Sequence, residues 1–110
     1  MTQGVEPLEM ALAYAAFPGG GMVNTPICYT KVLDRNGEVL LESKSEQTEA
    51  INEGVAWIMQ EVLKSVVDYN GYMYVSDVQP GGKTGTTNDQ YDIWFDGFTP
   101  TYAASIWIGT

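Results

Sequence analysis

Apolar positions recur in two rhythms along this chain, one helical and one alternating, and each predicts its own elements. Behind Pro7, which suits a first helical turn, Leu8, Ala11, Leu12, Ala15 and Ala16 fall at helical spacing and predict a helix over 6–17. Glu6 and Glu9 place negative charge at the positive end of its dipole. Phe17-Pro18-Gly19-Gly20-Gly21 ends it. A second helix is predicted over 53–67, with Asn52 as N-cap and Glu53 in its first turn. There Val55, Ile58, Met59, Val62, Leu63 and Val66 fall at i, i+3, i+4, i+7, i+8 and i+11 and form one apolar stripe that reads as core.

The alternating rhythm predicts strands. Ile27 to Leu33 and Glu38 to Glu42 flank Asp34-Arg35-Asn36-Gly37, so 27–42 reads as an edge hairpin whose Asn36-Gly37 supplies the positive φ values of a tight turn. Cys28, in that strand context, reads as a small buried hydrophobe. Lys44 to Glu49 reads as a polar linker, and Tyr69-Asn70-Gly71 marks a turn. Tyr72, Tyr74 and Val78 suit strand or loop equally. From 81 to 109 three short strands follow one another. In the second, Ile93 and Phe95 take one face and Trp94 and Phe98 the other; in the third, Ala104, Ile106 and Ile108 oppose Ala103 and Trp107. Strands apolar on both faces are expected between covering layers. Thr99-Pro100-Thr101 is the turn between the last two. The fold class is therefore α+β: two helices, an edge hairpin and a three-stranded antiparallel sheet.

Composition narrows the functions open to such a chain. At 110 residues and 45% hydrophobic it is one domain's worth of globular sequence, able to bury about two-thirds of its unfolded surface. A net charge of −9 with five basic residues argues against nucleic acid, whose phosphates require clustered Lys and Arg. It argues equally against an anionic membrane surface; solubility accounts for the acidity. A single cysteine forms no internal disulfide. No apolar run approaches the about 18 residues of a membrane span.

The chemistry concentrates at Gly81-Gly82-Lys83-Thr84-Gly85-Thr86-Thr87-Asn88-Asp89. Read alone, Lys83 is a solvated strand lysine among β-favouring threonines. Asp89, Asp92 and Asp96 match no calcium-loop spacing, so no metal site and no cofactor is expected. Asp92 reads as a partner for the turn leaving the lysine strand. Trp94 and Trp107 read as packing between strands rather than as a sugar platform. Without a histidine there is no Ser-His-Asp triad. The residues three before Lys31, Lys44, Lys64 and Lys83 are Cys28, Leu41, Glu61 and Pro80, so the chain has no S-x-x-K, and no Ser or Tyr has Asn two residues on.

Lys83-Thr84-Gly85-Thr86-Thr87, then Asp92-x-Trp94-Phe95-x-Gly97-Phe98-Thr99-Pro100, then Ile106-Trp107-Ile108-Gly109 resembles the transpeptidase domain of penicillin-binding proteins, most of all the bifunctional kind. Glu6 to Phe17 is similar to the helix after that family's second active-site motif. The family divides its serine acyl-transfer site among S-x-x-K, S-x-N and K-T-G, of which this chain carries the last. The resemblance implies Lys83 and Thr86 as catalytic residues. The Lys83 ammonium would bond the second-motif hydroxyl and raise the potential where a carboxylate binds, and the Thr86 N–H would give one oxyanion donor. It implies Thr84, Gly85, Thr86 and Thr87 as the substrate-binding stretch, with Gly85 leaving room for the approach of D-alanyl-D-alanine or a β-lactam.

The resemblance also implies that 1–110 is a single partial domain, the second half of a transpeptidase domain. The longer protein would be anchored at the extracytoplasmic face of the bacterial membrane by a segment outside this chain. Its partners would be peptidoglycan stem peptides, β-lactams and the remaining half of the domain. The isolated chain, lacking a nucleophile, is expected to be inactive and dimeric. A serine β-lactamase, a D,D-carboxypeptidase or a non-catalytic interaction module of the same fold are the alternatives. Three departures from the family stand out: Glu6 where a threonine is usual, Asn70-Gly71-Tyr72 in place of a Gly-Thr pair, and Asp96 in place of an apolar residue, which suggests a wetter face there or a partner for its carboxylate.

Overall fold

A computed structural model describes residues 4–71 and 77–110. Helix α1 spans Pro7–Ala15, and its start is closed by Glu9, whose Oε2 accepts the Glu6 N–H at 3.1 Å. The departure at Glu6 therefore leaves the helix capped, through the reach-back of a capping box. The chain then turns at Gly20 (φ 68) and Gly21 (φ 88). A side chain at Gly21 would collide with the Ile51 carbonyl. That carbonyl lies close because the Gly21 C=O accepts from both Ala50 (2.9 Å) and Ile51 (3.2 Å).

This close approach creates a strand pair that apolar alternation does not announce. β1 (Met22–Asn24) pairs antiparallel with Gln47–Glu49, so the polar linker expected at 44–49 is half strand. Between them the hairpin is β2 (Lys31–Leu33) and β3 (Val39–Glu42), with Gln47–Glu49 as β4. Residues 27–30 are not strand, and Cys28 is exposed rather than buried. The hairpin turn also differs from the expected one. Only Gly37 has positive φ (82°), and the turn is held by Asp34, whose Oδ1 accepts from Asn36 (2.7 Å) and Glu38 (2.9 Å). The ladder shifts between Val32 and Leu33, the bulge that such a turn imposes.

Helix α2 spans Glu53–Asn70, with Asn52 Oδ1 accepting the Gly54 N–H at 2.9 Å and Gly71 as a left-handed cap (φ 70). Tyr69 and Asn70 thus end the helix rather than form a turn. Its stripe divides. Ala56, Leu63 and Val67 are buried where α2 packs against the next strand, whereas Val55, Ile58 and Val62 are exposed, Ile58 at 57%. The expectation of a single core stripe holds for Leu63 but not for these three. Tyr72 and Tyr74 lie outside the described residues.

β5 (Gly81–Thr86), β6 (Asp92–Phe98) and β7 (Ala103–Gly109) form an antiparallel sheet in that order. The first turn is closed by Thr87, whose Oγ1 accepts the Asp92 N–H at 3.1 Å. The second is closed by Thr99, whose Oγ1 accepts the Tyr102 N–H at 3.0 Å. α1 packs on β6 and β7, with Phe17 6.2 Å from Phe98. Ala16, Trp94 and Phe98 are the buried hydrophobics of this region. Ile93, Ile106 and Ile108 lie exposed on the opposite face, so the expected two-sided burial is met on one side among the described residues. Trp94 and Trp107 pack at 6.5 Å with rings tilted by 48°.

Candidate functional site

The lysine strand is β5, and its position in the sheet determines which groups it can offer. Among the described residues it pairs with β6 on one side only. The Thr87 N–H donates to the Asp92 carbonyl at 3.1 Å, and bonding alternates along an antiparallel strand. Lys83 and Gly85 therefore direct their backbone groups to β6. The N–H and C=O of Thr84 and Thr86 face the unpaired side.

Lys83, Thr84 and Thr86 are exposed and Gly85 is half-buried. Lys83 Nζ curls around the strand to donate to the Thr84 carbonyl at 3.0 Å, with Thr84 Oγ1 at 3.5 Å. The structure thus gathers an ammonium, two outward-facing amides and two threonine hydroxyls along one open edge. Thr87 stands apart, its hydroxyl engaged in the turn to β6. Asp92 also differs from its expected part. Its carboxylate accepts from Trp107 Nε1 at 2.8 Å, tying β6 to β7, while the turn takes only its backbone.

Two glycines of this strand have different reasons. A Cβ on Gly82 would lie 2.6 Å from Phe95 Cζ and 2.9 Å from the Asp96 carbonyl, so packing alone excludes one. A Cβ on Gly85 would meet only Trp94 Cβ, at 3.4 Å. Nothing among the described residues requires glycine there.

Asp96 is the residue that sequence reasoning misjudged. An aspartate at that position suggests a wetter face or a partner for the carboxylate, yet Asp96 is 4% exposed and its Oδ1 has no hydrogen-bond partner among the described residues, like Ser105 Oγ across the strand pair. The signal was in the alternation itself: Asp96 shares its face with Trp94 and Phe98, both buried. Tyr14 of α1 responds to it. Burial first, and then the negative charge of Asp96, raise the Tyr14 hydroxyl above its ordinary value of 10.0. Among the described residues no group of three His, Cys, Asp or Glu side chains is placed to hold a metal ion, and no helix is long and apolar enough to cross a membrane.

Comparison with known proteins gives this geometry a family. The family described as "Penicillin binding protein transpeptidase domain" matches residues 3–109. Penicillin-binding protein 1A of Clostridium novyi is 41% identical over 98% of the chain, and penicillin-binding protein 4 of Bacillus subtilis is 36% identical over 98%. Among solved structures, penicillin-binding protein A of M. tuberculosis, as an imipenem acyl-enzyme, superposes with a TM-score of 0.87 over 99% of the chain at 20% identity. The D,D-transpeptidase domain of an Eggerthella lenta peptidoglycan glycosyltransferase gives 0.83 over 92% at 26% identity. The chain spans 13% of the Clostridium novyi protein, 18% of the Bacillus subtilis one and 26% of each of those solved chains. Matched along nearly its whole length, the chain belongs to the penicillin-binding protein transpeptidase domain family.

Proposed function

We propose that this chain is the second half of a peptidoglycan D,D-transpeptidase domain and that the open edge of β5 receives the carboxylate of D-alanyl-D-alanine or of a β-lactam. One observation carries the reading. An exposed ammonium lies beside two outward amides and two hydroxyls on a strand edge that no other strand occupies among the described residues, in a chain of this family.

The roles follow from the chemistry. Lys83 supplies positive potential, Thr84 and Thr86 offer hydroxyls to the ligand carboxylate, and the Thr86 N–H stabilises the developing oxyanion. Gly85 keeps the approach open, and Thr87 fixes the turn that ends the wall. A serine from the other part of the domain attacks the penultimate D-alanine carbonyl. Its oxygen forms the ester as the C–N bond breaks and D-alanine leaves with the proton. An amine of a neighbouring stem peptide then displaces the serine. The site works outside the cytoplasmic membrane, where the cross-linked wall lies. The penicillin-binding names of the relatives favour this reading over a β-lactamase.

The test is labelling with a fluorescent penicillin. The longer protein is expected to label on one serine and the isolated chain not at all; a labelled serine within residues 1–110, found by mass spectrometry, overturns the assignment. Gly85→Ala separates function from packing. Its melting temperature should stay level or rise, because the added methyl meets little and a strand glycine is about 0.5–1 kcal/mol worse than alanine. Its labelling rate should fall at least about tenfold as the methyl obstructs the ligand. Unaltered labelling removes Gly85 from the site.

The isolated chain is also expected to dimerise. Ile93, Ile106 and Ile108 are exposed on one sheet face, and apolar patches of that kind favour association. Light scattering at high concentration checks this, and a monomer mass counts against it.

A further inference from the structure

Asp96 is used neither by the packing nor by the chemistry proposed above, although it lies in the middle strand of the sheet. The register sets it opposite Lys83 on β5 and Ser105 on β7. Tyr14 faces it from α1, so the groups around it are one ammonium, one phenol and one hydroxyl. The alternation of bonds makes Lys83 and Asp96 a hydrogen-bonded pair, with Cα atoms about 5.5 Å apart and side chains on the same face. Lys83's neighbours on that face of β5 are Gly81 and Gly85, so no other β5 side chain intervenes. Yet Lys83 Nζ rests on the Thr84 carbonyl at the strand edge, and the ion pair formed among the described residues is Lys64 with Glu61 at 2.8 Å. A buried acceptor without a donor thus lies beside a cation held elsewhere.

We infer that Asp96 is a positioning residue for Lys83, the second seat of its ammonium. A ligand docking along β5 takes the edge where Nζ now sits on the Thr84 carbonyl. Displaced from there, the ammonium moves inward to the Asp96 carboxylate. It is then held over the sheet instead of being released to solvent. The move satisfies a carboxylate whose burial without a partner is costly, so ligand binding and lysine placement reinforce each other. The inference rests on the reading of β5 as the ligand-binding wall.

The experiment is the acylation rate of the longer protein by a fluorescent penicillin, in a double-mutant cycle of Asp96→Asn with Lys83→Ala. Asp96→Glu is the conservative variant, and melting is measured for each protein. D96N is expected to slow acylation about tenfold, within the range for directly coupled neighbours. D96E should recover part of that loss, and D96N should add nothing in the Lys83→Ala background. Asp96→Val, apolar as the family usually is here, is a second removal variant should D96N not fold, and it is expected to show the same loss. A purely structural role gives the opposite order, because the isosteric amide would be harmless to the rate and the longer glutamate worst. That order, or additivity in the cycle, overturns the inference. Labelling of the unmutated protein with D96N unchanged also overturns it alone. No labelling of the unmutated protein overturns the reading of β5 and the inference together.

Discussion

Replacing Phe98 by alanine is expected to destabilise the domain by about 3–5 kcal/mol, the range for deleting a buried aromatic ring. Phe98 is among the most buried side chains, lies 6.2 Å from the Phe17 ring at the end of α1, and has Gly81 beneath it. A Cβ on Gly81 would collide with the Cζ end of the Phe98 ring, and the same contact leaves a void when the ring goes. The void opens between the helix and the sheet and under the first residue of β5, which no strand supports on its other side. Neither neighbour can collapse into it cheaply, since Gly81 has no side chain to move. Denaturant midpoints of the longer protein check the figure, with exposed Leu40 of the β2–β3 hairpin as the control; its alanine variant should change stability by less than about 1 kcal/mol. Equal losses at both positions would mean that Phe98 does not carry the contact between α1 and the sheet.

Removing the Lys83 ammonium is expected to act in the opposite way, sparing stability and abolishing most of the chemistry. Lys83 is exposed and makes its contacts within one residue of itself, so Lys83→Ala should alter the melting free energy by no more than about 0.5 kcal/mol. Penicillin acylation should fall by about two to three orders of magnitude, as when a preorganised electrostatic contact to the reacting group is lost. Lys83→Arg keeps the charge but replaces a compact ammonium with a planar fork too wide for the same seat, so it should recover only part of the rate. Acylation that survives Lys83→Ala would remove the cationic wall from the proposal, whatever the melting data show.

The sequence was legible where side chains dictate structure. The helices over 6–17 and 53–67 follow from apolar spacing and from Asn52 and Gly21, and the three strands after Gly81 follow from alternation and from threonine and proline at the turns. It was illegible where the backbone dictates. β4 is Gln47-Thr48-Glu49, all polar, and β1 is only Met22-Val23-Asn24, too short for alternation to show. They pair because Gly21 brings two chain segments within bonding distance, which no local pattern reveals. The divided stripe of α2 has another cause: periodicity says which residues share a face, but not how much of that face the chain covers. At the site, the K-T-G run was readable as chemistry. The face that Asp96 shares with Trp94 and Phe98 was readable from alternation, but that α1 covers that face is a tertiary fact.

The excursion between β1 and β4 enters and leaves the fold at one point. Thr25 N–H meets the Glu46 carbonyl at 2.8 Å, Ser45 Oγ meets the Thr25 carbonyl at 2.7 Å, and among the described residues the β2–β3 hairpin packs on no other element. Cinched at its base in this way, the hairpin is an appendage whose length and sequence evolution can revise without shifting the lysine strand. It is also the natural place to splice in a reporter or an affinity tag.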